Sequence, residues 1–266
     1  MNRPRPGYLL GLVILALTAC SQVAGDGAPE AVPAAPSVLP ATSTPAYWFP
    51  AVATPTLGAA PASQPTPDKK PGIGQILLRD DFSSSEVWNT AVSDQASVVV
   101  AAKALTIATQ AGIAPVATFR QGQIFGDMYA EITARPSLCR DADDYGLAFR
   151  APNNIAYYRF AVACNGTAGA QRFSLGAARI LHPPMLSADA PSGAPGDVRL
   201  GVWAVGSQFR FFLNGRYQFT ATDSSYAAGA IGVFAHAAGD SPVTVTFADL
   251  VVYAVGAAVP AAPPPP

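Results

Sequence analysis

The chain has 266 residues, with 16 Lys and Arg against 17 Asp and Glu and a formal net charge of −1. Near-neutrality without a run of basic residues argues against a nucleic-acid partner and against an electrostatic membrane patch. With only two histidines, His182 and His236, a catalytic zinc site of three imidazoles is excluded, although a mixed ligand set is not.

In chain order, Arg3 and Arg5 precede an apolar run from Tyr8 to Leu17 that ends in Leu17-Thr18-Ala19-Cys20. A basic start, a short apolar core and small residues before a break are the parts of a secretory signal. The run is shorter than the about 20 residues a helix needs to span a bilayer. Residues 1–19 resemble a bacterial lipoprotein signal peptide. The resemblance implies cleavage before Cys20 and lipid on Cys20, hence a membrane partner and an extracytoplasmic location.

Residues 20–72 form the expected tether. From Ala24 to Gly72 the chain is rich in Pro, Ala, Thr and Ser and poor in charge and large aliphatics. Such a segment buries too little apolar surface to offset its conformational entropy, and its prolines favour extended conformations. Tyr47-Trp48-Phe49-Pro50 breaks the pattern and reads either as a locally collapsed spot or as a docking peptide. Residues 257–266, ending in consecutive prolines, read as a second disordered segment.

Between them, residues 73–256 change to short alternating runs. Val98 to Val100 and Leu105 to Ile107 flank an Ala-Lys-Ala turn, and Met128 to Thr133 has the period of a half-buried strand. Tyr145 to Arg150 and Ile155 to Ala163 flank Ala151-Pro152-Asn153-Asn154, a turn cluster. Val198 to Val205, Gln208 to Leu213 and Arg216 to Thr220 form a meander whose second turn is Asn214-Gly215. Ile231 to Phe234 and Val243 to Tyr253 complete the set, and no helical period persists. So many short strands exceed one immunoglobulin-type sandwich and suit a double-sheet jelly roll. Cys139 and Cys164 lie nearly symmetrically about the Asn153-Asn154 turn, so antiparallel pairing predicts a disulfide closing that hairpin.

Several segments carry a resemblance: Arg79-Asp80-Asp81-Phe82-Ser83 with Trp88, Asp144 to Arg150, Tyr157-Tyr158-Arg159-Phe160, Phe212-Leu213-Asn214-Gly215, Gly229 to Val233 and Phe247 to Val252. In this order they resemble the concanavalin A-like lectin and glucanase superfamily, most closely its laminin-G-like branch with domains named for 3-keto-disaccharide hydrolysis. The resemblance implies an all-β jelly-roll sandwich of two antiparallel sheets that binds carbohydrate or a cell-envelope protein without catalysis. A hydrolase or lyase acting on a glycoside, and an adhesion module, are the alternatives. Asp81-Phe82 is read as a strand start, Gly146, Gly229 and Gly232 as close-approach positions, and Phe247, Leu250 and Val252 as core.

Some glucanases of this superfamily carry three carboxylates two residues apart on one strand face, one serving as acid and one as nucleophile. The nearest match is Asp127-Met128-Tyr129-Ala130-Glu131, where Tyr129 replaces the middle carboxylate, so Asp127 and Glu131 read as exposed strand residues and no catalytic residue is assigned. No Gly-x-Ser-x-Gly elbow is present, His182 reads as a loop residue before Pro183-Pro184, and His236 as a strand end. Asp141-Ala142-Asp143-Asp144 reads as a solvated turn rather than a calcium loop, and neither metal nor other cofactor is expected. Alternation sets Tyr129, Glu131, Arg150, Tyr157 and Arg159 on outward faces. If their strands are neighbours, these five share one face with the aromatic planes and charged hydrogen-bonding groups that suit a sugar.

Overall fold

A computed structural model describes residues 68–256. No helix occurs among them; the chain runs through strands joined by turns. In chain order these are β1 (Ile73–Asp80), β2 (Ala91–Val92), β3 (Ala96–Ala101), β4 (Ala104–Thr109), β5 (Val116–Phe119), β6 (Met128–Leu138), β7 (Asp144–Asn153) and β8 (Ala156–Ala163). They continue as β9 (Thr167–Ser174), β10 (Ala177–Leu186), β11 (Val198–Val205), β12 (Gln208–Leu213), β13 (Arg216–Thr222), β14 (Ala230–His236) and β15 (Val243–Val255).

The strands form two antiparallel sheets. One has nine strands in the order β13-β12-β11-β6-β15-β4-β3-β2, with β1 also paired to β15. The other has six, in the order β10-β9-β8-β7-β14-β5. The chain changes sheet on either side of β5, between β6 and β7, between β10 and β11, and on either side of β14.

Two-residue periodicity explains the layering. Met128, Ala130, Ile132 and Ala134 of β6 and Leu200 and Val202 of β11 point into the core, where they meet Leu147, Phe149, Tyr158 and Phe160 of the facing sheet. Phe211, Ile231, Val233, Phe247, Leu250 and Val252 fill the same layer, each fully buried. Aromatic edges lock it: Phe149 meets Phe209 at 5.2 Å and Phe160 meets Phe211 at 5.0 Å between ring centroids.

Turn chemistry sets the register. The β3–β4 hairpin turns on Ala102-Lys103 (φ 50° and 59°), and the β12–β13 hairpin on Asn214-Gly215 (φ 50° and 78°). Paired left-handed residues match the twist of the flanking strands, which is why Asn-Gly is such a strong hairpin signal. At Gly146 in β7 an added Cβ would lie 1.9 Å from Phe160 O on β8, so only glycine allows this close approach. Cys139 and Cys164 are joined by a disulfide with Cα atoms 5.8 Å apart, closing the β7–β8 hairpin as its symmetry predicts.

The fold corrects two local readings. Asp81-Phe82 does not start a strand: β1 ends at Asp80, and Phe82 turns away with φ 56°, its N–H donating to Asp80 Oδ1. Phe82 is nonetheless an anchor, buried and stacked on Trp88 at 5.2 Å. His182 is not in a loop; it lies within β10, stacked on Phe219 at 4.0 Å. Cys20 and Tyr47-Trp48-Phe49 lie outside the described residues.

Candidate functional site

The five residues set outward by alternation do not share a face. Tyr129 and Glu131 lie on β6 in the nine-stranded sheet, whereas Arg150, Tyr157 and Arg159 belong to β7 and β8 in the six-stranded sheet. Consecutive strands pair often in sandwiches, but β6 pairs with β11 and β15 and the chain then crosses to the other layer.

On the outer face of the nine-stranded sheet, Tyr129, Trp203 and Phe212 form a second aromatic cluster flanked by Tyr253. The chain's own residues Lys69 to Pro71 lie across it. Trp203 Nε1 donates to Pro71 O at 3.0 Å, Arg210 Nη1 donates to Lys69 O at 3.1 Å, and the Lys70 ammonium sits 5.0 Å over Tyr129 and 5.2 Å over Phe212. Burial, reinforced by the hydrogen bond that Tyr129 Oη donates to Glu131, pushes the phenol well above its usual range. Glu131 is neither exposed nor free: it accepts from Arg199 Nη2 at 2.9 Å. Asp127 precedes β6 and pairs with Arg150 Nη2 at 3.1 Å.

Arg150 is a clip rather than a surface group. It is 1% exposed and has φ 47°. Its guanidinium donates to Gly126 O at 3.1 Å and to Gly206 O at 2.6 Å, and stacks 5.2 Å over the Phe209 ring. Burial lowers its pKa, and the Asp127 charge opposes that shift.

Tyr157 and Arg159 do share the outer face of the six-stranded sheet, and here a cleft opens. Its floor is made of small residues, Ala161, Ala163 and Gly169, which leave room above the pleat. Arg159 and Gln171 form one wall, Asp144 and His236 another, and Asn165, Thr167 and Pro184 the rim. The volume is about 320 Å³, at the small end of ligand clefts. Arg159 is held between the rings of Phe173 (5.5 Å) and Phe234 (5.0 Å), and its Nε donates to Gln171 Oε1 at 2.7 Å. Next to it, burial pushes the Tyr157 phenol up to about 12, with Phe173 stacked on its ring at 5.0 Å. Asp144 Oδ1 and His236 Nδ1 lie 2.9 Å apart.

A second hollow of about 330 Å³ lies by the β7–β8 turn, lined by Gln121, Gln123, Asn153 and Asn154. Its arginine, Arg120, is already paired with Asp80 at 2.8 Å. The acidic loop is not a solvated turn. Asp143 is 1% exposed and accepts the N–H groups of Arg140 and Gly239, while Asp144 faces the cleft. Among the described residues no group of three or more His, Cys, Asp or Glu side chains is placed to hold a metal ion.

The cleft residues that the sequence reading did not assign include Asp144, Gln171 and His236, and it also missed the buried rings of Phe173 and Phe234 that flank Arg159. Parity in β14 carried a usable signal: Ile231, Val233 and Ala235 facing the core leave Phe234 and His236 on the opposite face. No such signal marked Gln171, because β9 reads Thr-Ala-Gly-Ala-Gln-Arg-Phe-Ser, with few residues of high strand preference.

No family model and no curated protein matches the chain. Solved structures do. A carbohydrate-binding module, CBM66 from Bacillus subtilis, is similar at TM-score 0.53 and 16% identity, over 63% of this chain and 96% of the module. A Bacillus subtilis protein with a galectin-like fold gives 0.48 at 14% identity, covering 68% of this chain and 96% of that one. The GH43 BlXynB protein of Bacillus licheniformis gives 0.49 at 14% identity, covering 66% and 39%. The fold is an all-β jelly-roll sandwich of two antiparallel sheets, the architecture implied by the concanavalin A-like resemblance.

Proposed function

We propose that the chain is a non-catalytic carbohydrate-binding protein, with the cleft over β7, β8, β9 and β14 as its binding site. One observation carries the reading: Arg159 and Gln171, together with Asn165 and Thr167, line an open cleft of about 320 Å³ that is floored by Ala161, Ala163 and Gly169. Sugars present hydroxyls to planar donors and acceptors such as these, and their apolar C–H faces can rest on a floor of small side chains. The likeness to a carbohydrate-binding module supports the same reading. Glycosidic cleavage by the usual route takes two carboxyl groups across the bond. One carboxylate, Asp144, lines the cleft, and it is engaged by His236. Asp127 and Glu131 are committed to arginines on the other sheet and at the rim.

The lipoprotein-like start at Cys20 supports placing this domain outside the cytoplasm on a lipid anchor, reached through the Pro-rich segment of residues 20–72. The test is a glycan array probed with the full chain, purified in mild detergent, and with its Arg159→Ala and Gln171→Ala variants. Binding that both variants weaken at least about tenfold is expected, the loss of one charge-assisted hydrogen bond. Absence of binding by a folded chain, or binding indifferent to both substitutions, would overturn the proposal. Labelling with a fatty-acid analogue, abolished by Cys20→Ser, tests the anchor separately.

A further inference from the structure

We infer that the unit recognised in this cleft is an acidic sugar, its anionic group seated against the Arg159 guanidinium. The inference rests on the glycan reading above and narrows it to a charge class.

The argument comes from comparing the arginines. Arg120, Arg172 and Arg199 keep 17%, 23% and 36% of their side-chain surface, and each faces a carboxylate within 2.9 Å. Arg150, at 1%, has both Asp127 and backbone carbonyls. Arg159 is 5% exposed, more buried than the first three, yet no carboxylate of the described residues lies within ion-pair distance of it. It donates one hydrogen bond within the protein, from Nε to Gln171 Oε1, and its Nη1 is buried without a partner.

A buried cation without an anion is an expensive arrangement, because desolvation is not recovered by Coulomb attraction or by hydrogen bonds. The rings of Phe173 and Phe234 offset part of this through their faces, but they offer nothing to in-plane N–H groups. The cleft's own carboxylate, Asp144, already faces His236 at 2.9 Å. What the site lacks is therefore an oxyanion, and the ligand can bring it. A carboxylate suits the guanidinium well, accepting charge-assisted hydrogen bonds from the N–H groups that Gln171 does not engage. A sulfate ester shares the same chemistry.

The deciding experiment is an array of acidic glycans, carboxylated and sulfated, each spotted beside its neutral counterpart, methyl-esterified or desulfated, and probed with the full chain. Acidic members should bind about 10- to 100-fold better than their neutral partners, the range of a charged hydrogen-bond pair. Arg159→Gln should erase that preference, and Arg159→Lys should retain part of it. The matched pairs on the unmodified chain decide the matter even where a variant fails to fold. Preference confined to methyl-ester-sensitive or to sulfate-sensitive pairs identifies the anion. Equal binding of acidic and neutral partners overturns this inference while leaving the glycan reading standing. Binding to neither overturns both.

Discussion

Arg150 offers the sharpest test of whether the rim of the sandwich is architecture or binding surface. Replacing it with alanine strands Gly126 O and Gly206 O, which it reaches at 3.1 and 2.6 Å, and removes its stacking on Phe209. Gly126 is half-buried and Gly206 exposed, so each carbonyl loses about 1.5 kcal/mol, the net value of a hydrogen bond to a charged group, and not the full penalty of a buried orphan. The stacking adds about 1 kcal/mol. Asp127 is half exposed and also accepts Gly206 N–H at 2.9 Å, so its lost pair contributes little. Removing the buried charge returns part of its desolvation, and the net is about 3 kcal/mol. At about 2–4 °C per kcal/mol for a domain of this size, the midpoint should fall by about 10 °C. Thermal unfolding followed by near-ultraviolet circular dichroism measures this. Arg150→Met, which keeps the stem over Phe209, should recover the packing share but not the carbonyl share. A variant as stable as the unmodified chain that nonetheless loses ligand would refute the reasoning and return Arg150 to the binding surface.

Three further outcomes are expected. The disulfide closes a loop with a sequence separation of 25, so a Cys139→Ser, Cys164→Ser double variant should lose about 3 kcal/mol in urea unfolding, a loss that reductant reproduces in the unmodified chain. Gly146→Ala should cost about 3 kcal/mol by forcing β7 from β8, read in the same assay; a neutral result would disprove the close approach. Burial alone would raise the pKa of Asp223, but hydrogen bonds from Tyr158 and Ser225 and the Arg172 charge hold it at about 2, below its ordinary 3.8. A depressed carboxylate stabilises the fold above its unfolded pKa. Stability should therefore fall by up to about 2 kcal/mol as pH drops from about 4 to about 2, and Asp223→Asn should flatten that part of the pH profile.

The layering was legible because period-two patterning and burial are the same fact seen twice. Met128 to Thr133, Val198 to Leu213 and Val243 to Tyr253 each carry enough β-branched and aromatic residues to declare a strand and its inward face. The disulfide was legible because a hairpin turn makes symmetry in sequence into proximity in space. Sheet membership was not legible. Alternation shows which way Tyr129 and Tyr157 point relative to their own strands, but it carries no information on which strands lie side by side. Nor does it show what covers an outward face, so Tyr129 reads as exposed although residues 69–71 lie over its cluster. Half of the cleft was hidden for a different reason. Gly169, Ala161 and Ala163 matter there by being small, and an absent side chain leaves no hydrophobic signal.

The strap at Lys69 to Pro71 also fixes a direction. It enters β1 across the outside of the nine-stranded layer, and the cleft opens on the outside of the six-stranded layer. The two are separated by the full thickness of the sandwich, with the layers about 10 Å apart. On a lipid-anchored chain the leash would thus attach at the back of the domain. The cleft face stays clear of the chain's own entry, so a glycan could dock without the leash having to let go.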